Sequence, residues 1–159
     1  MTTIFTIGYG NRNLHTFIDL LKENQIKTLV DVRSYPYSRF NPNYNKKSLQ
    51  LLLKDINIEY LYMGDTLGGK PKDKNLYIND KLHYQTVNSA PIYKVAISEL
   101  IKLSENINTC IMCCELNPDH CHRKNLIAET LIEQNISVTH INEKGLLFPH
   151  IKSSILGLF

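Results

Sequence analysis

Residues 113–124 read CCELNPDHCHRK, so three thiols, two imidazoles, a guanidinium and the carboxylate of Glu115 fall within twelve positions. Three chemistries compete for such a stretch. A zinc ion wants three or four converging Cys, His or carboxylate ligands. Here Cys114 and Cys121 have six residues between them, and the neighbours Cys121 and His122 would point about 100° apart on a helix. Cys114, Glu115, His122 and His140 are the one zinc set left, and no resident cofactor or metal is expected. A reactive thiol is the second use. Asn117-Pro118-Asp119 has the cap and the proline of a helix start. That would place Cys121 in the first turn, where the helix dipole and Arg123 lower a thiol pKa, and a thiolate there, or at Cys114 if it faces the same edge, could act as a nucleophile. Cys110 and Cys113 read as packing residues. The third use is an anion pocket, because a helix N-terminus offers unpaired N–H groups and Arg123 adds a forked pair of donors suited to phosphate.

The anion reading draws in more of the chain. Between positions 33 and 54 lie Arg33, Arg39, Lys46, Lys47 and Lys54 with no Asp or Glu, interleaved with Tyr35, Tyr37, Phe40 and Tyr44. Basic charge beside stacking rings is how proteins hold a single strand or a nucleotide base; a solvated basic loop with packed tyrosines is the plainer alternative. Gly8-Tyr9-Gly10 would let backbone approach a ligand, Ser38 and Arg39 would face it, and Gly68-Gly69 with Lys70 would close over it as a lid. Glu115 is then the natural general acid or base, with Asp31 second. Either carboxylate could instead be scaffolding, Asp31 as ion-pair partner of Arg33 or Arg39 and Glu115 of Arg123. His122 could orient Glu115 or cap a carbonyl.

These residues need a frame. Short β-branched or aromatic runs at 4–7, 29–32, 58–62, 110–113 and 138–141 predict five strands. Between them Leu14, Phe17, Ile18 and Leu21 recur at helical spacing, as do Leu49, Leu52, Leu53 and Ile56. Tyr93, Ile97, Leu100 and Ile101, then Leu126, Ile127, Leu131 and Ile132, give two more amphipathic segments. Alternating strands and helices predict a mostly parallel five-stranded sheet in a Rossmann-like α/β/α sandwich. Such sheets bind ligands outside the carboxyl ends of their strands, and the polar, reactive and glycine-containing stretches all follow a predicted strand. The stretch 63–91 is too long for an ordinary connection and reads as a partly structured functional loop.

Several of these stretches together resemble one family. Thr6-Ile7-Gly8-Tyr9-Gly10, Asp31-Val32-Arg33 through Ser38-Arg39, Leu67-Gly68-Gly69, Cys113-Cys114-Glu115 with Pro118, Cys121-His122-Arg123, and His140-Ile141 with Gly145 are similar to the signatures of domain-of-unknown-function family 488. The resemblance implies a bacterial or archaeal cytosolic α/β domain and no particular reaction. It marks Asp31, Arg33, Arg39, Cys114, Glu115, Cys121, His122 and Arg123 as the matching positions.

The 159 residues fit one domain with a core of its own, and a formal charge of +3 permits an acidic partner without requiring one. No signal-like or membrane-spanning run is present, so a cytoplasmic chain with four free thiols is expected. The apolar residues after Gly145, from Leu146 to Phe159, should dock on the domain or on a second copy as a homodimer. The expectation is an enzyme of hydrolase or transferase type acting on a phosphorylated small molecule or nucleic acid. A non-catalytic nucleic-acid-binding module with structural cysteines is the alternative, and a Cys/His/Glu metal protein a third.

Overall fold

The computed structural model describes residues 2–153. Strand β1 (Thr3–Gly8) leads into helix α1 (Leu14–Glu23), β2 (Thr28–Asp31), α2 (Lys46–Asp55) and β3 (Glu59–Tyr62). A short α3 (Gly64–Leu67), the hairpin β4 (Tyr77–Ile78) and β5 (Lys81–Leu82), and α4 (Tyr84–Ser89) follow. Then come α5 (Pro91–Ser104), β6 (Thr109–Cys113), a π-helical segment at Arg123–Ala128 that continues as α6 (Glu129–Glu133), β7 (Ser137–Ile141) and β8 (Leu147–Pro149).

The main sheet has the order β3-β2-β6-β1-β7-β8, with every pair parallel except β7 and β8. The expected five strands are the parallel ones. The sixth comes from the apolar tail, whose residues 147–149 pair antiparallel with β7. Ile155, Leu156, Leu158 and Phe159, expected to dock with it, lie outside the described residues.

Both faces of the sheet are buried because alternate strand side chains belong to different cores. Cys110 and Met112 point into one, with Phe17, Leu21, Leu49 and Leu53 of α1 and α2. Ile111 and Cys113 point into the other, with Tyr93, Ile97 and Leu100 of α5 and Leu126 and Leu131 beyond β6. Each fully buried side chain of this size contributes ~1.5–3 kcal/mol. The local signals agree: the side chain of Asn13 accepts the His15 N–H at the start of α1, and Pro91 opens α5. The chain moves one way along the sheet from β1 to β2 and β3, and the other way from β6 to β7. Right-handed crossovers therefore put α1 and α2 on one face and the later helices on the other. The stretch 63–91 is ordered as α3, the hairpin and α4, with Asn79 and Asp80 supplying the two positive φ angles of a tight hairpin turn.

Candidate functional site

Strands β1 and β6 are neighbours whose onward connections diverge, which is where a parallel sheet of this type opens a crevice. Part of that crevice is filled by the protein. The Tyr9 and Gly10 N–H groups donate to the carbonyls of Cys113 and Cys114 at 3.1 and 2.8 Å. A Cβ on Gly8 would overlap the Glu115 carbonyl, and one on Gly10, at φ +46°, would press on the Leu116 side chain. These glycines thus admit the strand's own Glu115–Leu116 segment, which corrects the expectation that they admit a ligand. Tyr9 is buried and stacks on Tyr44 at 4.3 Å.

The arginines expected to hold phosphate are turned to protein acceptors. Asp31 is wholly buried. Its two carboxylate oxygens take Nε and Nη2 of Arg33 at 2.9 and 2.7 Å, and the Tyr60 hydroxyl donates to Oδ2 at 2.5 Å. Nη2 of Arg33 also reaches the Tyr44 carbonyl, and Nη1 makes one longer bond of 3.3 Å to the Tyr9 hydroxyl. Burial alone would lower the Arg33 pKa, but the bonds and charge of Asp31 outweigh it and push the value up, so the guanidinium stays charged. Burial and the same carboxylate push the Tyr60 phenol up, keeping it a neutral donor. Asp31 is therefore the anchor of an ion pair, the structural alternative weighed above.

Arg123 is 0% exposed and the largest fully buried side chain described. Its Nη1 donates to the Glu115 carbonyl at 2.5 Å and to Cys113 Sγ at 3.1 Å, Nη2 to the Leu116 carbonyl, and Nε to Thr6 Oγ1. Burial brings its pKa down to about 10, which still leaves it charged at neutral pH. The expected phosphate donor holds the 113–116 segment in place from beneath.

The local chain path corrects the thiol reading. Asn117 caps only a single 3-10 turn at Pro118–His120, the backbone is extended at Cys121, and helix resumes at Arg123. Cys121 thus precedes the helix instead of occupying its first turn. The same turn returns Cys121 to the end of β6, where its sulfur lies beside that of Cys113, but the two Cα atoms are 7.7 Å apart, farther than a disulfide spans, so the pair sits as neighbouring buried thiols. Cys110 and Cys113 have a Cys-x2-Cys spacing, but in a strand they face opposite cores. Cys114 is exposed as a residue, but partial desolvation of its thiol together with the Glu115 charge pushes its pKa up, so it carries its proton at neutral pH. His122 donates from Nε2 to the Val32 carbonyl at 3.0 Å, and burial lowers its pKa to about 4. Its neutral Nδ1 lies 3.7 Å from Cys121 Sγ.

Over this scaffold, beyond the ends of β2 and β6, lies a pocket of about 390 Å³. Tyr9, Arg33, Tyr35, Tyr37, Tyr84, Gly69 and Lys70 line it together with Cys114, Glu115 and His122. Tyr35 and Tyr37 are 65% and 66% exposed. Gly69 has no room for a side chain, since a Cβ would come within 2.9 Å of His122 Nδ1. The expected lid is tied down: the Lys70 N–H donates to Ser34 Oγ at 2.8 Å, and Gly68 packs on the same serine. Ser38 and Arg39 do not line the pocket. Ser38 bonds to Asn45 and Asn41 within its own loop, and Arg39 is exposed.

Sequence reasoning did not find Tyr84, Ser34 or His120, which also lines the pocket; Tyr84 arrives through the folding of 63–91, which no spacing foretold. The zinc set is not brought together, because His140 bonds to Thr6 and His150 beside a different pocket, of about 410 Å³. Among the described residues no group of three His, Cys, Asp or Glu is arranged to hold a metal ion, and no helix is long and apolar enough to cross a membrane.

Residues 13–131, about three quarters of the chain, match the domain of unknown function DUF488. The chain belongs to that family. The matched span contains Asp31, Arg33, Arg39 and the whole 113–124 stretch, whereas Gly8, Gly10 and His140 lie outside it. No curated protein and no solved structure matches the chain.

Proposed function

We propose that this protein is an enzyme of hydrolase or transferase type acting on a phosphate-bearing ligand, a nucleotide or a nucleic acid, in the pocket beyond β2 and β6. The observation that carries the reading is the pocket's composition: the rings of Tyr35, Tyr37 and Tyr84, the ammonium of Lys70 and the carboxylate of Glu115 line one cavity of about 390 Å³. That volume is within the range of small-ligand sites. Tyrosine faces stack on bases, and Lys70 supplies the positive charge that the buried Arg33 and Arg123 do not. Glu115, exposed at a strand end, takes the proton of the attacking water or hydroxyl. Cys114, holding its proton, acts as a hydrogen-bond donor and not as a nucleophile. Arg33, Arg123 and Asp31 are positioning residues.

A second reading, a non-catalytic nucleic-acid-binding module with structural cysteines, is favoured by the burial of Cys113, Cys121 and both arginines. Glu115→Gln separates the two. Incubated with nucleotides and short oligonucleotides and followed by chromatography of products, the parent should turn over one substrate that the variant binds but leaves intact. A parent that binds and converts nothing supports the module instead.

A further inference from the structure

The pocket does not end at Lys70. Tyr35, Gly69 and Lys70 are a shared wall, and beyond them opens a second concavity of about 900 Å³. Lys70, Lys72 and Lys74 line it with Tyr77, against one acidic residue, Asp80, at the hairpin turn. Two observations show that this surface is organised. The Tyr77 hydroxyl is anchored on the Pro71 carbonyl at 2.7 Å while Lys74 Nζ sits 5.7 Å from the centre of its ring. Asp73, the acid between the lysines, directs its carboxylate to the Asn75 N–H and so caps its own turn. The first pocket alone has room for a ligand of nucleotide size; three ammonium groups in five positions and a further 900 Å³ suit a ligand that repeats its phosphates.

We infer that the ligand is a single-stranded polynucleotide: one nucleotide occupies the pocket between the tyrosines and Glu115, and the phosphates next to it run along Lys70, Lys72 and Lys74. This rests on the nucleotide reading of the pocket and extends it. A positive groove with ring platforms is the arrangement that tracks a single strand. A duplex would present its bases stacked inside and leave the rings without partners.

The test is fluorescence anisotropy of the full chain with short labelled oligothymidylate and oligouridylate, their duplexes, and a labelled mononucleotide, repeated on Lys72→Ala/Lys74→Ala. Both lysines are exposed, so the variant should melt like the parent. Each phosphate contact on a single strand adds about 0.7 to the slope of log affinity against log salt, so the parent's loss of affinity between about 50 and 200 mM salt should be about sevenfold larger than the variant's. Mononucleotide binding should be unchanged, and the DNA and RNA arms show which backbone is preferred. If the variant keeps the oligomer affinity and slope while the mononucleotide still binds, the groove inference is overturned and the pocket reading stands. Equal binding of duplex and single strand also overturns it. If neither mononucleotide nor oligomer binds, the pocket reading itself fails.

Discussion

Arg123→Met tests whether the largest fully buried side chain among the described residues is scaffold or ligand donor. Methionine keeps much of the length and apolar stem of arginine but none of its donors. The substitution removes four hydrogen bonds, to Thr6, Cys113, Glu115 and Leu116. Two of the acceptors are loop carbonyls, and leaving each without a donor costs about 1–3 kcal/mol. Relief from burying a guanidinium among neutral acceptors works in the other direction. A net loss of about 2–4 kcal/mol remains, and at ~2–4 °C per kcal/mol for a chain of this size the melting temperature should fall by roughly 4–16 °C. Thermal and urea unfolding measure this directly. A variant that melts with the parent but no longer binds nucleotide would refute the reasoning, since the guanidinium would then be facing the ligand.

Three further predictions follow from the same geometry. Asp31→Asn strands Arg33 as an uncompensated buried charge, so it should destabilise the fold by about 3–5 kcal/mol in urea unfolding. Gly8→Ala forces a Cβ into the Glu115 carbonyl and should lower the melting temperature, whether or not ligand is present; an unchanged melt would show that the β1–β6 loop contact is not tight. Stability should also fall as pH drops from about 6.5 towards 4. His122 is half-buried and His140 buried, and desolvation holds both neutral, with pKa values lowered to about 4 and about 3. Below about pH 6.5 the unfolded chain takes up protons that the folded chain refuses, and each such histidine contributes a slope approaching 1.4 kcal/mol per pH unit. The urea midpoint should therefore decline within this window and decline less in His122→Asn. A flat midpoint from pH 7 to about 4.5 would contradict the assignment.

The frame was legible because its signals are local and repeated. The short apolar runs at 4–7, 29–32, 58–62, 110–113 and 138–141 mark the parallel strands, and the 3.6-residue stripes of α1, α2 and α5 are plain in the sequence. The site was legible in position but not in role. Sequence shows that Arg33 and Arg123 are charged but says nothing of burial, and an arginine whose fork is closed by Asp31 or by loop carbonyls reads the same as one open to phosphate. Cys121 was misplaced for a different reason. Asn117-Pro118-Asp119 carries genuine cap chemistry, but it caps one 3-10 turn, and helix starts again only at Arg123. That short offset leaves Cys121 just ahead of the helix, its carbonyl accepting the Asn125 N–H and its sulfur beside that of Cys113. Tyr84 joins the pocket only through the packing of the β4–β5 hairpin and α4, contacts between distant positions that no local pattern encodes.

The most direct test of the pocket is titration of isotope-labelled protein with nucleoside monophosphates, following the backbone amide resonances. The account predicts saturable shifts that move together at Ser34, Tyr35, Lys70, Glu115 and His122, which line one cavity. Shifts confined to Asn142, Phe148 and His150, which line the neighbouring pocket beside β7, or no saturable shift at all, would contradict it.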